Sequence, residues 1–127
     1  MKHLEYQLQK EVCRYISLRY PEVLFLSDTI GNVKLTKPQQ ARNKAIQKYG
    51  FACPDLLILQ PNKEYKGLFI ELKKSSPFKK DGTLYKSEHL EEQQKAIDKL
   101  NNLGYKALFA WEITTIVKLI DSYLKDV

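Results

Sequence analysis

A chain of 127 residues, 43% of them hydrophobic and 28% charged, can bury one core without covalent staples, so a single domain over residues 1–127 is expected. Two cysteines and two histidines exclude a disulfide framework and a structural zinc site, and no apolar run approaches the ~18 residues of a membrane span. The net charge of +6, from 21 basic and 15 acidic residues, favours a polyanionic partner.

Met1-Lys2-His3-Leu4-Glu5 opens an amphipathic pattern instead of a signal peptide, which points to an intracellular protein with Cys13 and Cys53 as free thiols. Residues 4–19 place Leu4, Leu8, Val12, Tyr15 and Ile16 at helical spacing. Glu5 and Gln9, four residues apart, share a flank beside that stripe. Glu5 there is either a first-turn acid favoured by the helix dipole or a carboxylate delivered to the end of a sheet. Pro21 stops the helix, and Val23-Leu24-Phe25-Leu26 reads as a short strand. In the following turn, Ser27 to Asn32, Asp28 is expected to bond its own backbone. Lys37-Pro38 leads into a helix from Gln39 to Tyr49, with proline in its first turn and Gly50 at its end. Residues 34–48 carry Lys34, Lys37, Arg42, Lys44 and Lys48 with no acid.

Two apolar runs follow, Pro54 to Gln60 and Gly67 to Lys74, separated by a polar break near Pro61-Asn62-Lys63, and they read as paired strands. Side chains alternate along a strand, so Glu71 and Lys73 share one face and Leu72 takes the other. If one strand runs out and the next runs back, Asp55 and Glu71, sixteen positions apart (71 − 55), meet. Carboxylate oxygens are hard ligands suited to Mg²⁺ or Mn²⁺, which take one or two of them plus water and phosphate oxygens. An ammonium beside such a pair stabilises charge on a phosphate or orients an attacking water. That orienting role is favoured for Lys73 over a general base, which an ammonium becomes only by giving up its proton.

Residues 75–86 show no steady period and read as a mobile basic loop. With Lys73, Lys74, Lys79, Lys80 and Lys86 they form a second basic cluster. Both clusters either contact phosphates or are solvated loop surface; Phe78 and Tyr85 either stack on splayed bases or pack locally. Ser87 is a plausible N-cap for a helix to Leu103, closed by Gly104. Gln93 precedes Ala96, Ile97 and Leu100 by three, four and seven residues, so it faces inward. Its amide then serves either the lysine and a water at the site or a backbone partner in the core. Tyr105 to Trp111 reads as a buried strand and Thr114 or Thr115 to Leu124 as a last helix. The order α β α β β α β α gives an α/β domain with a mixed sheet.

Pro54-Asp55 followed by Glu71-Leu72-Lys73 resembles the PD-(D/E)xK signature of restriction-endonuclease-like nucleases. The context is similar to the virus-type replication and repair nuclease domain, VRR-NUC. The shared features are the helix with Glu5 and Gln9, Gly50 ahead of the PD strand, the run Leu68 to Lys73, and the helix with Gln93 ending in Leu103-Gly104-Tyr105. The chain departs from the pattern at Cys53, where many relatives carry glycine. The resemblance implies a restriction-endonuclease-like mixed central sheet flanked by helices. It also implies a metal-dependent DNA endonuclease in which Glu5, Asp55, Glu71 and the backbone carbonyl of Leu72 hold Mg²⁺ or Mn²⁺. Lys73 and Gln93 would complete the catalytic set; the charge of the two basic clusters makes Lys37, Arg42, Lys44, Lys74, Lys79 and Lys80, together with Gln9 of the matched helix, the candidates for nucleic-acid contact. Stand-alone viral and phage members act as homodimers on branched DNA such as Holliday junctions, in replication, repair or recombination. The setting implied is the cytoplasm of a bacterium or of a virus-infected host cell. The rival expectation is a catalytically silent nucleic-acid-binding module of a larger complex; a third is cleavage of RNA or of simple ends.

Overall fold

Two antiparallel strand pairs and one parallel pair need very different connections, and the chain supplies each. The computed structural model describes residues 3–28 and 34–127. In chain order the elements are α1 (His3–Arg19), β1 (Phe25–Ser27), α2 (Lys37–Ile46), β2 (Leu56–Ile58), β3 (Leu68–Leu72), α3 (Glu88–Asn102), β4 (Lys106–Ala110) and α4 (Ile113–Lys125). The sheet runs β1-β2-β3-β4. The β1–β2 and β2–β3 pairs are antiparallel, while β3 and β4 are parallel with α3 as the crossover.

Alternation along the strands splits the core in two. Leu56, Ile58, Leu68, Ile70 and Leu72 are buried with Val12 and Ile16 of α1 and with Ile116, Ile120 and Tyr123 of α4. On the other face Ala107 and Phe109 pack with Ile97 and Leu100 of α3, joined by Phe69 and Trp111. The expected stripe of α1 is thus centred on Val12 and Ile16, both 0% exposed, whereas Leu4 stays 48% exposed. The hydroxyls of Tyr15 and Tyr20 both donate to Asp121 Oδ1 at 2.6 Å, which ties the end of α1 to α4. The bond to Asp121, aided by burial, pushes the Tyr20 hydroxyl up to about 12.

Several boundaries move. Helix α2 begins at Lys37 because Thr36 and Gln39 form a reciprocal capping box, and it ends at Ile46. Gly50 is therefore no helix cap. It adopts φ +75° in a separate turn, where the Phe51 N–H meets the Lys48 carbonyl. Of the turn expected from Ser27 to Asn32, residues 29–32 lie outside the described residues. In the β2–β3 connection Asn62 accepts from the N–H groups of Glu64 and Tyr65 and donates to the Tyr123 carbonyl, so the turn is fastened to α4.

The expected mobile loop over 75–86 is a folded hairpin. Phe78 bridges Leu84, the Lys79 N–H donates to the Thr83 carbonyl at 2.7 Å, and Gly82 turns the chain at φ +87°. Asp81 accepts from both the N–H and the hydroxyl of Thr83. Phe78 stacks edge-on against Phe109, with ring centres 5.8 Å apart. Local side-chain bonds and one aromatic anchor give this segment its order, which hydrophobic periodicity does not register.

Truncating the fully buried Ile16 to alanine is expected to cost about 2–5 kcal/mol of unfolding free energy. Asp121→Asn, which weakens two tyrosine bonds to a charged acceptor, is expected to cost about 1–2 kcal/mol. Urea denaturation of both variants checks this ranking.

Candidate active site

Sheet register brings the acids together. Ser27 pairs with Leu56 and Leu56 with Ile70, so Asp28, Asp55 and Glu71 stand in one row across three chain segments. The Asp28 N–H donates to the Asp55 carbonyl at 2.8 Å, holding the row at its edge. Asp55 Oδ2 accepts from the Leu72 N–H at 3.0 Å, which fixes its carboxylate beside Glu71. Glu71 is 4% exposed. Burial pushes its carboxyl far above the usual carboxylate range; a hydrogen bond to Asp55 and the Asp55 charge push it further, and Lys73 pulls the other way. Without a cation the pair therefore favours holding a proton, because the burial of Glu71 and the neighbouring Asp55 charge both oppose a second ionised carboxylate.

Around this pair lies a cavity of about 270 Å³. Glu5, Gln9, Asp55, Glu71, Leu72, Lys73 and Gln93 all border it, so the expected catalytic and metal positions converge from α1, β2, β3 and α3. Glu5 is near enough for its charge to add to the upward push on Glu71. Gln9, expected on nucleic acid, is buried in the wall; its amide donates to Ser27 Oγ at 2.6 Å and to the Asp28 carbonyl at 2.7 Å. Lys74 borders a neighbouring cavity. Lys79 and Lys80 are exposed on the 75–86 hairpin, and Lys37, Arg42 and Lys44 are exposed on α2, away from the lining of the carboxylate cavity. Helix α2 is still a neighbour of the site, since Asn43 and Gln47 share a cavity with Asp28 and Cys53.

Gln93 is buried as its spacing predicts, at 6% exposure. Its Nε2 lies 3.1 Å from His89 Nε2, one helical turn away, while its Oε1 has no partner although buried. An orphaned carbonyl oxygen at the rim of a polar cavity is a position for a water or hydroxyl donor. Four lining residues stand apart from the expected set: Asp28, Ala52, Cys53 and His89. Asp28 was expected to serve its own turn; the signal that places it here is its register against Asp55. Burial, followed by the charges of Asp28, Glu71 and Asp55, pushes the Cys53 thiol up to about 11. Without a metal it stays a neutral thiol near pH 7.

Among the described residues, no group of three or more His, Cys, Asp and Glu side chains forms a metal cage. The donors on offer are two paired carboxylates, the backbone at Leu72 and an amide oxygen. That set is all hard oxygen and suits an ion that keeps several waters, such as Mg²⁺ or Mn²⁺, rather than zinc. A carboxyl whose folded pKa is raised destabilises the fold above its ordinary value of 4.5. In chelator, stability is accordingly expected to fall as pH rises from about 4.5 toward the raised value, and Glu71→Gln is expected to remove that decline and raise the melting temperature at pH 7. Thermal melts across pH check both the sign and its loss.

No family model and no curated protein matches this chain. Among solved structures, a VRR_NUC domain protein superposes with a TM-score of 0.64 and 24% identity, covering 96% of this chain and 88% of that one. At that identity the likeness carries the fold, and this chain has the restriction-endonuclease-like α/β fold of a VRR_NUC domain protein: a mixed four-stranded sheet between helices.

Proposed function

We propose that this protein is a metal-dependent nuclease of the VRR-NUC type that hydrolyses phosphodiester bonds in DNA. The observation that carries the reading is the hydrogen-bonded pair of half-buried Asp55 and buried Glu71 in one cavity with Lys73 and the unpartnered Oε1 of Gln93. Asp55, Glu71 and the Leu72 carbonyl would hold Mg²⁺ or Mn²⁺, with Glu5 at its edge; when bound, the ion neutralises phosphate charge and acidifies a water. Hydrolysis of an unactivated phosphodiester needs a barrier reduction that approaches ~20 kcal/mol. Within the chain, the Leu72 N–H keeps Asp55 in place, and the burial of Glu71 beside Asp55 makes an incoming positive charge favourable at the pair. Lys73 offers its ammonium to the phosphate oxygens and to the attacking water. Gln93 Oε1 accepts one hydrogen of that water and so aims its lone pair.

Exposed Lys74, Lys79 and Lys80 on one side, with Lys37, Arg42 and Lys44 on α2, suit the tracking of a phosphate backbone. Action on branched DNA by two copies of the chain is the finer form of this proposal, supported by the sequence resemblance. Phosphate contacts and metal ligands carry no information about branch geometry, so substrate choice has to be measured.

Labelled four-way junction, splayed, single-stranded and linear duplex DNA, incubated with Mg²⁺ or Mn²⁺, are expected to be nicked on at least one substrate, with no cleavage in EDTA. Lys73→Ala is expected to lower the rate by at least ~10²-fold, and Glu71→Ala to abolish it in a protein that still melts cooperatively. Binding to every substrate without cutting would move the reading to the silent module. Sedimentation of the protein on an uncleavable four-way junction is expected to give two chains per junction; one chain per junction would remove the dimer.

A further inference from the structure

A second cavity, about 520 Å³, lies directly beside the carboxylate cavity, and Glu5 and Lys73 border both. Its other walls include Lys74, Ser76, Phe78 and Tyr85. The two aromatics differ in kind. Phe78 is committed to the core through Phe109 and Trp111. Tyr85 is 52% exposed and its ring has no aromatic or cation partner among the described residues. It is also held firmly, since its N–H donates to the Pro77 carbonyl at 2.9 Å, at the base of a hairpin closed by the Phe78–Leu84 bridge.

We infer that this cavity receives an unpaired nucleobase of the strand being cut, stacked on Tyr85, with Lys73 and Lys74 on the flanking phosphates. The inference rests on the nuclease reading for the identity of that strand. A flat, half-exposed ring on a fixed hairpin loses little freedom when a base stacks on it, and every base offers a π-face, so the contact is blind to sequence. Lysines beside the ring supply the charge that a base's own phosphates require, and the depression opens to the surface, where a strand can reach it. A base inside a duplex would have to be unstacked and unpaired before reaching the ring, at a cost of a few kcal/mol. A nucleotide already unpaired pays nothing for this. The chain is therefore built to select DNA with an unpaired nucleotide next to the cut, such as a splayed end or branch.

The test uses splayed DNA carrying 2-aminopurine at successive unpaired positions, and a fully paired duplex of the same sequence, titrated with wild type, Tyr85→Phe and Tyr85→Leu. Fluorescence is read in EDTA and in Ca²⁺, and melting curves confirm that each variant is folded. Wild type and Tyr85→Phe are expected to quench one unpaired position. Tyr85→Leu is expected to lose that quench and bind splayed DNA roughly tenfold more weakly, with affinity for the paired duplex unchanged. The inference is overturned if wild type quenches no unpaired position in either buffer, if Tyr85→Leu keeps the quench, or if it loses affinity equally for paired DNA. Cleavage by wild type in Mg²⁺ is scored in parallel. Cutting without Tyr85-dependent quenching removes the base pocket and leaves the nuclease, whereas Tyr85-dependent quenching without cutting removes the nuclease and leaves the pocket.

Discussion

A buried carboxyl, Glu71, held against a half-buried one, Asp55, resists ionisation of both, and much of this molecule is arranged around that conflict. The backbone N–H of Leu72 holds Asp55 against Glu71 instead of letting it swing to solvent. Glu71 sits on the sheet face shared with Phe69, so the packing that buries Phe109 and Trp111 also dries the acid. Lys73 brings compensating charge without closing an ion pair among the described residues. The arrangement is costly unless a compensating positive charge reaches it.

The row Asp28, Asp55, Glu71 shows how little sequence is needed to make such a centre. Antiparallel pairing turns three distant acids into neighbours at a single level of the sheet. Parallel pairing of β3 with β4 then requires a crossover, and α3 is that crossover. Gln93 arrives at the row because the helix must pass over this face to reach β4. Candidate site residues from four elements are thus placed by the same connections that make the sheet continuous.

Much of this was legible in the residues. The order of helices and strands follows from their periods, and the inward face of α3 follows from counting Gln93 against Ala96, Ile97 and Leu100. The meeting of Asp55 with Glu71 needed only the assumption of a hairpin. Illegible were the features set by register or by tertiary anchors. Asp28 lies in a turn-rich composition, and nothing local distinguishes an acid serving its turn from one beside another strand's acid. The 75–86 hairpin lacks a period because Asp81 and Thr83 fold it by side-chain bonds and Phe78 fastens it to Phe109. Gly50 suggested a helix end, yet α2 buries no side chain that would favour carrying the helix so far, and the glycine serves the next turn.

The crossover also bears on the order in which the chain can assemble. β2 and β3 pair across a short connection that Asn62 organises locally, whereas pairing Leu68 with Lys106 closes a loop of 38 residues (106 − 68). Loop-closure entropy grows with length, so the long closure comes after the short one. Asp55 and Glu71 consequently meet while that face of the hairpin is still wet and their repulsion is screened. The drying of the pair is deferred to the docking of α3 and β4, when the growing core can offset it. A chain that had to bury both acids in its first contacts would be working against its own folding.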